Sequence, residues 1–194
     1  MNISILDYCL IIDLEATCCN KKSIPRREME IIEIGAVMME MKTLQIISEF
    51  QTFVKPVRYP ILTEFCTSLT SISQTQVDSA PSYPEAVNLL QSWFKVYKPL
   101  CWGSWGDYDR HQFQQDSDFN HVNFPIGCYH FNLKKLFSKN QNLNGRYGMA
   151  QALKLANIPL VGTHHRGIDD ARNIAQLMPY VSGREKLDHE NISI

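Results

Sequence analysis

The chain has 194 residues, 44% of them hydrophobic, enough for one full core and short of two. Its 19 Lys and Arg nearly cancel its 20 Asp and Glu; the resulting charge of −1 excludes a uniformly basic nucleic-acid-binding surface and leaves room only for a local basic strip. No apolar stretch reaches the length of a bilayer span, no basic leader precedes the first apolar run, and the six cysteines show neither a CxxC pair nor a zinc-type spacing, so a cytoplasmic domain with free thiols is expected.

The first predicted element is a buried strand, Tyr8-Cys-Leu-Ile-Ile12, with charge arriving abruptly at its end in Asp13-Leu-Glu15. A side-chain period of two sends both carboxylates to one side, where they repel unless a cation lies between them. Lys21, Lys22, Arg26 and Arg27 follow as the candidate basic strip, equally readable as a solvated loop. Glu30 to Met39 and Thr43 to Val54 are two further strands, joined around Glu40 to Lys42 as an antiparallel hairpin. After a proline-containing loop come short helical pieces at Glu64 to Ser68 and Ser73 to Val77, the second with a Ser73/Gln76 capping box. Pro81-Ser-Tyr-Pro84 precedes a helix over Glu85 to Tyr97, which Pro99 ends, and Leu100-Cys-Trp102 starts a fourth strand.

That strand leads into Gly103-Ser-Trp-Gly-Asp107-Tyr-Asp109 and a helix over Arg110 to Gln115. Two metal ions ~4 Å apart need several carboxylates, so a third acid is expected here. Asp107 is also a natural N-cap; Asp109, with Phe113 one turn later to anchor it, is favoured. Gly127 to His130 is a short strand, Leu133 to Phe137 and Ala150 to Ala156 are helices, and Ile168 to Val181 is the last helix. On its wheel Asp170 borders the apolar sector of Ala171, Ile174, Leu177, Met178 and Val181, while Asp169 shares the polar face with Arg172, Asn173 and Gln176. His165 lies within reach of whatever Asp170 binds and suits a general base, with His164 its rival. One α/β or α+β domain over residues 1–181 is expected, followed by a polar tail, 182–194, that need not be ordered.

Asp13-Leu-Glu15-Ala-Thr17, Ile31 to Val37, Leu69 to Val77, Trp105-Gly-Asp-Tyr-Asp109 and His164-His-Arg-Gly-Ile-Asp-Asp-Ala171 occur in an order that resembles the DnaQ-like, DEDDh-type 3′-to-5′ exonucleases, most of all their Eri-type histone-mRNA exonuclease and KapD-like branch. The similarity runs from about Tyr8 to Val181 and departs from the pattern at Trp105-Gly-Asp107, where acidity is added. The resemblance implies an α/β, ribonuclease H-like fold: a mixed five-stranded sheet with helices on both faces. It implies Asp13, Glu15, Asp109 and Asp170 as ligands of two Mg²⁺ or Mn²⁺ ions and His165 as general base. The expected partners are 3′ ends of single-stranded RNA or DNA, RNA favoured, with nucleoside 5′-monophosphates as product. Thr17 is then a phosphate contact, and Phe65 and Tyr108 are aromatics for the terminal base, each equally readable as core. A DNA-trimming or proofreading enzyme would use the same site, and a catalytically silent nucleic-acid-binding module would retain the fold without the chemistry.

Overall fold

Strand β1 (Tyr8–Ala16) divides its side chains between two cores, Cys9 and Ile11 in one and Leu10, Ile12 and Leu14 in the other. A strand apolar on both faces is stable only inside a sheet covered on both sides. In the computed structural model, which describes residue 3 and residues 6–20, 23–97 and 100–188, β1 is the middle of five strands. β2 (Ile31–Glu40) pairs with it antiparallel, β3 (Gln45–Phe53) completes the hairpin, and β4 (Leu100–Ser104) and β5 (His130–Asn132) add on the other side in parallel. The order is β3-β2-β1-β4-β5, the mixed five-stranded α/β sheet that the sequence motifs imply.

Helices α3 (Tyr83–Phe94) and α4 (Tyr108–Phe119) cover one face through Tyr83, Ala86, Leu90 and Phe113. The other face is covered by α5 (Leu133–Asn140), α6 (Met149–Leu155), α7 (Gly167–Gln176) and α8 (Met178–Ser182). Short helices α1 (Glu64–Thr70) and α2 (Gln74–Asp78) form a smaller cluster around Ile32, Cys66 and Val77. The Ser73/Gln76 capping box is present at α2, and a second one, Ser82 with Glu85, starts α3 two residues earlier than the apolar spacing indicates.

Several boundaries differ from the sequence expectation. β1 runs on to Ala16 and so includes Asp13 and Glu15 as strand residues on one side, as the side-chain period of two requires, although the apolar run itself ends at Ile12. The expected final helix breaks at Leu177: Pro179 has no N–H to donate back and sits in the first turn of a new helix, α8. The expected strand at Gly127 to His130 is displaced to His130–Asn132 because its register is set by Trp102, Gly103 and Ser104 of β4. Residues 182–188 are held to the domain rather than forming a tail: Arg184 donates to the carbonyls of Met41 and Lys42, and buried Leu187 donates its N–H to Gln141 at 2.8 Å. Lys21, Lys22, Pro99 and residues 189–194 lie outside the described residues. Among the described residues Cys9, Cys18, Cys66, Cys101 and Cys128 are free thiols, and no helix is long and apolar enough to cross a membrane.

A buried carboxylate joins β2 to the loop before α1. Glu30, 4% exposed, accepts the N–H groups of Val57, Arg58 and Tyr59 at 2.8, 2.7 and 3.0 Å. Glu30→Ala would leave these donors without their acceptor and is expected to cost about 2 kcal/mol in urea unfolding. A loss below about 0.5 kcal/mol would show that water replaces the carboxylate without penalty.

Candidate active site

The pleat of β1 points Asp13 and Glu15 to the same face as Cys9 and Ile11, the face covered by α7. Helix α7 buries Ile168, Ala171, Ile174 and Ala175, and this apolar stripe carries Asp170 inward with it. Carboxylate oxygens of Asp13, Glu15 and Asp170 consequently lie within 4.8 Å of one another. The fourth acid comes from the other side of β1. Asp109 stands in the first turn of α4, anchored by fully buried Phe113, and its Oδ1 accepts the N–H of Leu14 at 3.1 Å.

α7 approaches the sheet closely because two glycines face each other. A Cβ on Gly35, which pairs with Asp13 in the β1/β2 register, would lie 2.0 Å from the carbonyl carbon of Gly167. One on Gly167 would lie 2.9 Å from the Asp13 carbonyl oxygen.

The electrostatics follow from this crowding. Burial raises the Asp13 carboxyl well above the usual range, and the charges of Asp109, Glu15, Asp170 and Glu33 raise it further. Glu15 is pushed up to about 8 by burial, then by Asp170, Glu33 and Asp109. Asp109 rises to about 6 through burial, opposed by its hydrogen bonds, chiefly that from Leu14. Asp170 is raised by burial and held back by His164. Carboxylates crowded so that their neighbours raise the proton affinity of Asp13 and Glu15 could together hold a cation. Oxygen ligands on this scale fit hard divalent ions rather than the thiolate and imidazole chemistry of structural zinc.

Asp107 and Asp109 part company in space. Asp107 is exposed, accepts from Asn132 Nδ2 at 2.8 Å and lies 3.9 Å from His130, outside the carboxylate cluster; it holds the N-cap position of α4 without a side-chain cap bond. The two histidines stay together. His164 Nδ1 is 3.1 and 3.0 Å from the two Asp170 oxygens, the His165 N–H donates to Asp170 at 3.0 Å, and the rings stack with centroids 4.0 Å apart. His165 takes a left-handed backbone, φ 65°, to make this turn.

Of the expected substrate contacts, Thr17 is closed off. It is 1% exposed, its N–H donates to the Glu30 carbonyl, and its hydroxyl accepts the Glu30 N–H at 3.0 Å, so it fastens β1 to β2. Tyr108 is half-buried with the Arg26 guanidinium 5.4 Å from its ring centre. Arg26 of the basic strip therefore reaches the edge of the site, whereas Arg27 is exposed beside Glu28. Phe65 is exposed on α1, next to Cys66, whose thiol donates to the Ala16 carbonyl at the end of β1.

Two further groups shape the site. Glu33, fully buried and opposite Glu15, accepts from Arg166 Nε and the Gly167 N–H, both at 3.1 Å, which ties the start of α7 to β2. A lone charge within Ile31-Ile-Glu-Ile34 was its signal in the sequence. Asn173, expected on the polar face of the last helix, is fully buried; it exchanges hydrogen bonds with Val161 at 3.0 and 2.8 Å and so anchors the loop that delivers both histidines. No helical periodicity reveals it, because its partner is a loop backbone.

An exonuclease family model, RNase_T, matches residues 10–178. The mouse protein named ERI1 exoribonuclease 3 is 31% identical over 186 residues, covering 91% of this chain and 54% of its own. The chain spans about half the length of the curated relatives it matches. A solved 3′-exonuclease, described in its specific recognition of the histone mRNA stem-loop 3′ end, superposes with a TM-score of 0.85 at 25% identity over 95% of this chain and 67% of that one. The nuclease domain of 3′hExo, a DEDDh family member bound to rAMP, gives a TM-score of 0.81 at 27% identity, with 95% and 93% covered. All four clustered acids fall inside the matched span, on the strand and helices that these nucleases share with it, and the chain belongs to the RNase_T exonuclease family.

Proposed function

We propose that this chain is a metal-dependent 3′-to-5′ exonuclease that releases nucleoside 5′-monophosphates from single-stranded nucleic acid, with RNA favoured. The observation that carries the reading is the convergence of Asp13, Glu15, Asp109 and Asp170 from three distant segments into one cluster of mutually repelling carboxylates. The preference for RNA rests on relatives named as exoribonucleases and on solved relatives described with rAMP and with an mRNA stem-loop.

Two divalent ions, Mg²⁺ or Mn²⁺, held by these four residues would polarise the phosphodiester and offset its charge. The side chains have their own tasks. The N–H groups of Leu14 and His165 hold the Asp109 and Asp170 carboxylates in fixed directions, so little reorganisation is needed when substrate arrives. His165 accepts the proton of the attacking water at a ring nitrogen, while His164 keeps its own ring against Asp170 as a positioning residue. Tyr108 and Phe65 offer ring faces to the terminal base. Buried free thiols at Cys9, Cys66 and Cys101 suit a reducing compartment, and we assign the protein to the cytoplasm.

The test is a 5′-labelled single-stranded RNA and its DNA counterpart, incubated with Mg²⁺, with Mn²⁺ and with EDTA. A metal-dependent ladder shortening from the 3′ end is expected, faster on RNA. Faster shortening of DNA would select the DNA-trimming reading; binding without shortening of either polymer would select the silent binding module. His165→Ala is expected to lower turnover roughly 10²-fold, and His164→Ala about tenfold or less. The reverse order would exchange their roles.

A further inference from the structure

A cleft of about 750 Å³ opens between α4, β5, α5 and the loop that follows α5. Asp107 lines it, while Asp109, two residues on, belongs to the carboxylate cluster, so the first turn of α4 is the wall between cleft and site. Four permanent cations line the cleft: Arg110 from α4, Lys135 and Lys139 from α5, and Arg146 from the loop. Asp107 is the only carboxylate among the lining residues, and it already accepts from Asn132. Among the described residues none of the four cations lies within ion-pair distance of a carboxylate. In a chain whose net charge is −1, this concentration of unpaired positive charge is a local feature built against the average.

Aromatic surface is interleaved with these charges. Tyr129, 59% exposed, stands edge-on to Phe131 at 4.8 Å, and Phe124 lines the same wall. Lys135 and Lys139 are one helical turn apart and share a face of α5. Their neighbour Lys134 serves the other side: its charge acts on Asp109, and its Nζ lies 3.9 Å from the place of a Cβ on Gly106. Helix α5 thus presents cations both to the carboxylate site and to the cleft. Cations drawn from three elements, with ring faces between them, match a succession of phosphates and bases better than one small anion.

We propose that this cleft binds the single-stranded nucleic acid on the 5′ side of the terminal nucleotide, through its sugar-phosphate backbone at Arg110, Lys135, Lys139 and Arg146 and a base on Tyr129. The assignment rests on the exonuclease reading for its direction, since the 3′ end occupies the carboxylate site. It makes the cleft the determinant of grip on a long strand and leaves the chemistry to Asp13 and its neighbours.

The test is the triple variant Lys135→Gln, Lys139→Gln, Arg146→Gln. All three side chains are exposed, so it is expected to melt with the parent protein. Fluorescence anisotropy in EDTA, with a labelled oligouridylate of about a dozen nucleotides and with a trinucleotide, is measured across a salt series. Long-strand affinity is expected to fall about tenfold or more, and the slope of log K against log salt to shrink by about two, since each contact to a single strand contributes about 0.7. The trinucleotide places only two nucleotides beyond the carboxylate site, so its affinity should fall by a clearly smaller factor than that of the long strand. An unchanged long-strand affinity and slope would overturn the proposal. Equal losses for trinucleotide and long strand, or loss of measurable AMP binding, would overturn it in favour of a mononucleotide site. If the parent protein binds the long strand through the cleft but shortens neither RNA nor DNA, the exonuclease reading fails while the strand-binding cleft stands.

Discussion

Asp13→Asn is expected to lower hydrolysis of a single-stranded oligonucleotide by roughly 10³-fold, and in EDTA to melt at the same temperature as the parent protein or higher. The two effects have one cause. Asp13 lies among Glu15, Asp109, Asp170 and Glu33, whose charges all oppose its ionisation. Asparagine replaces a group whose ionisation the cation-free fold opposes, and it keeps the size of the side chain. The same change removes a ligand from a site that fits divalent cations. Mg²⁺ at about 100 times its dissociation constant would stabilise the parent protein by about 2.7 kcal/mol, and this gain should largely vanish in the variant. Turnover within about tenfold of the parent would remove Asp13 from the machinery. A large drop in melting temperature in EDTA would instead make its carboxylate a structural anchor and contradict the repulsion argument.

Gly35→Ala is expected to cost about 3 kcal/mol or more in urea unfolding and to lower turnover with it. The added carbon would lie 2.0 Å from the Gly167 carbonyl carbon and 2.1 Å from the Ile168 nitrogen, a backbone that no rotamer change can move aside. Relief requires α7 to lift from β1 and β2. That movement would stretch the Glu33 contacts to Arg166 and Gly167 and carry Asp170 away from Asp13. Stability and chemistry should therefore fall together, in contrast to Asp13→Asn, where they part. A loss under about 1 kcal/mol would mean that the helix can shift without penalty and that the site tolerates a looser spacing.

Much of this architecture is legible in local pattern. The pleat of the strand begun at Tyr8 sends Asp13 and Glu15 to one face, and the 3.6-residue stripe of Ala171 and Ile174 places Asp170 inward. Phe113 one turn after Asp109 likewise anticipates a buried carboxylate. Each inference concerns a single element, whose side chains follow its own geometry. Boundaries were less legible where a partner decides them: β5 begins where Trp102 offers a pairing position, and the tail expectation missed Leu187 because its burial depends on Gln141.

Contacts between segments far apart in the chain are beyond any periodicity. The commitment of Thr17 to Glu30, the grip of Asn173 on Val161 and the separation of Asp107 from Asp109 depend on which backbone passes nearby. The seating of α7 on paired glycines and the cleft cations on α4, α5 and the Arg146 loop depend on it too. The composition, the strand and helix faces and the identity of the acids follow from the order of residues, since the pleat and the helical turn act over a few positions. How near the acids come to one another, which histidine touches Asp170 and where unpaired positive charge collects were fixed only by packing, because burial and Coulomb interaction depend on distance through space, not along the chain.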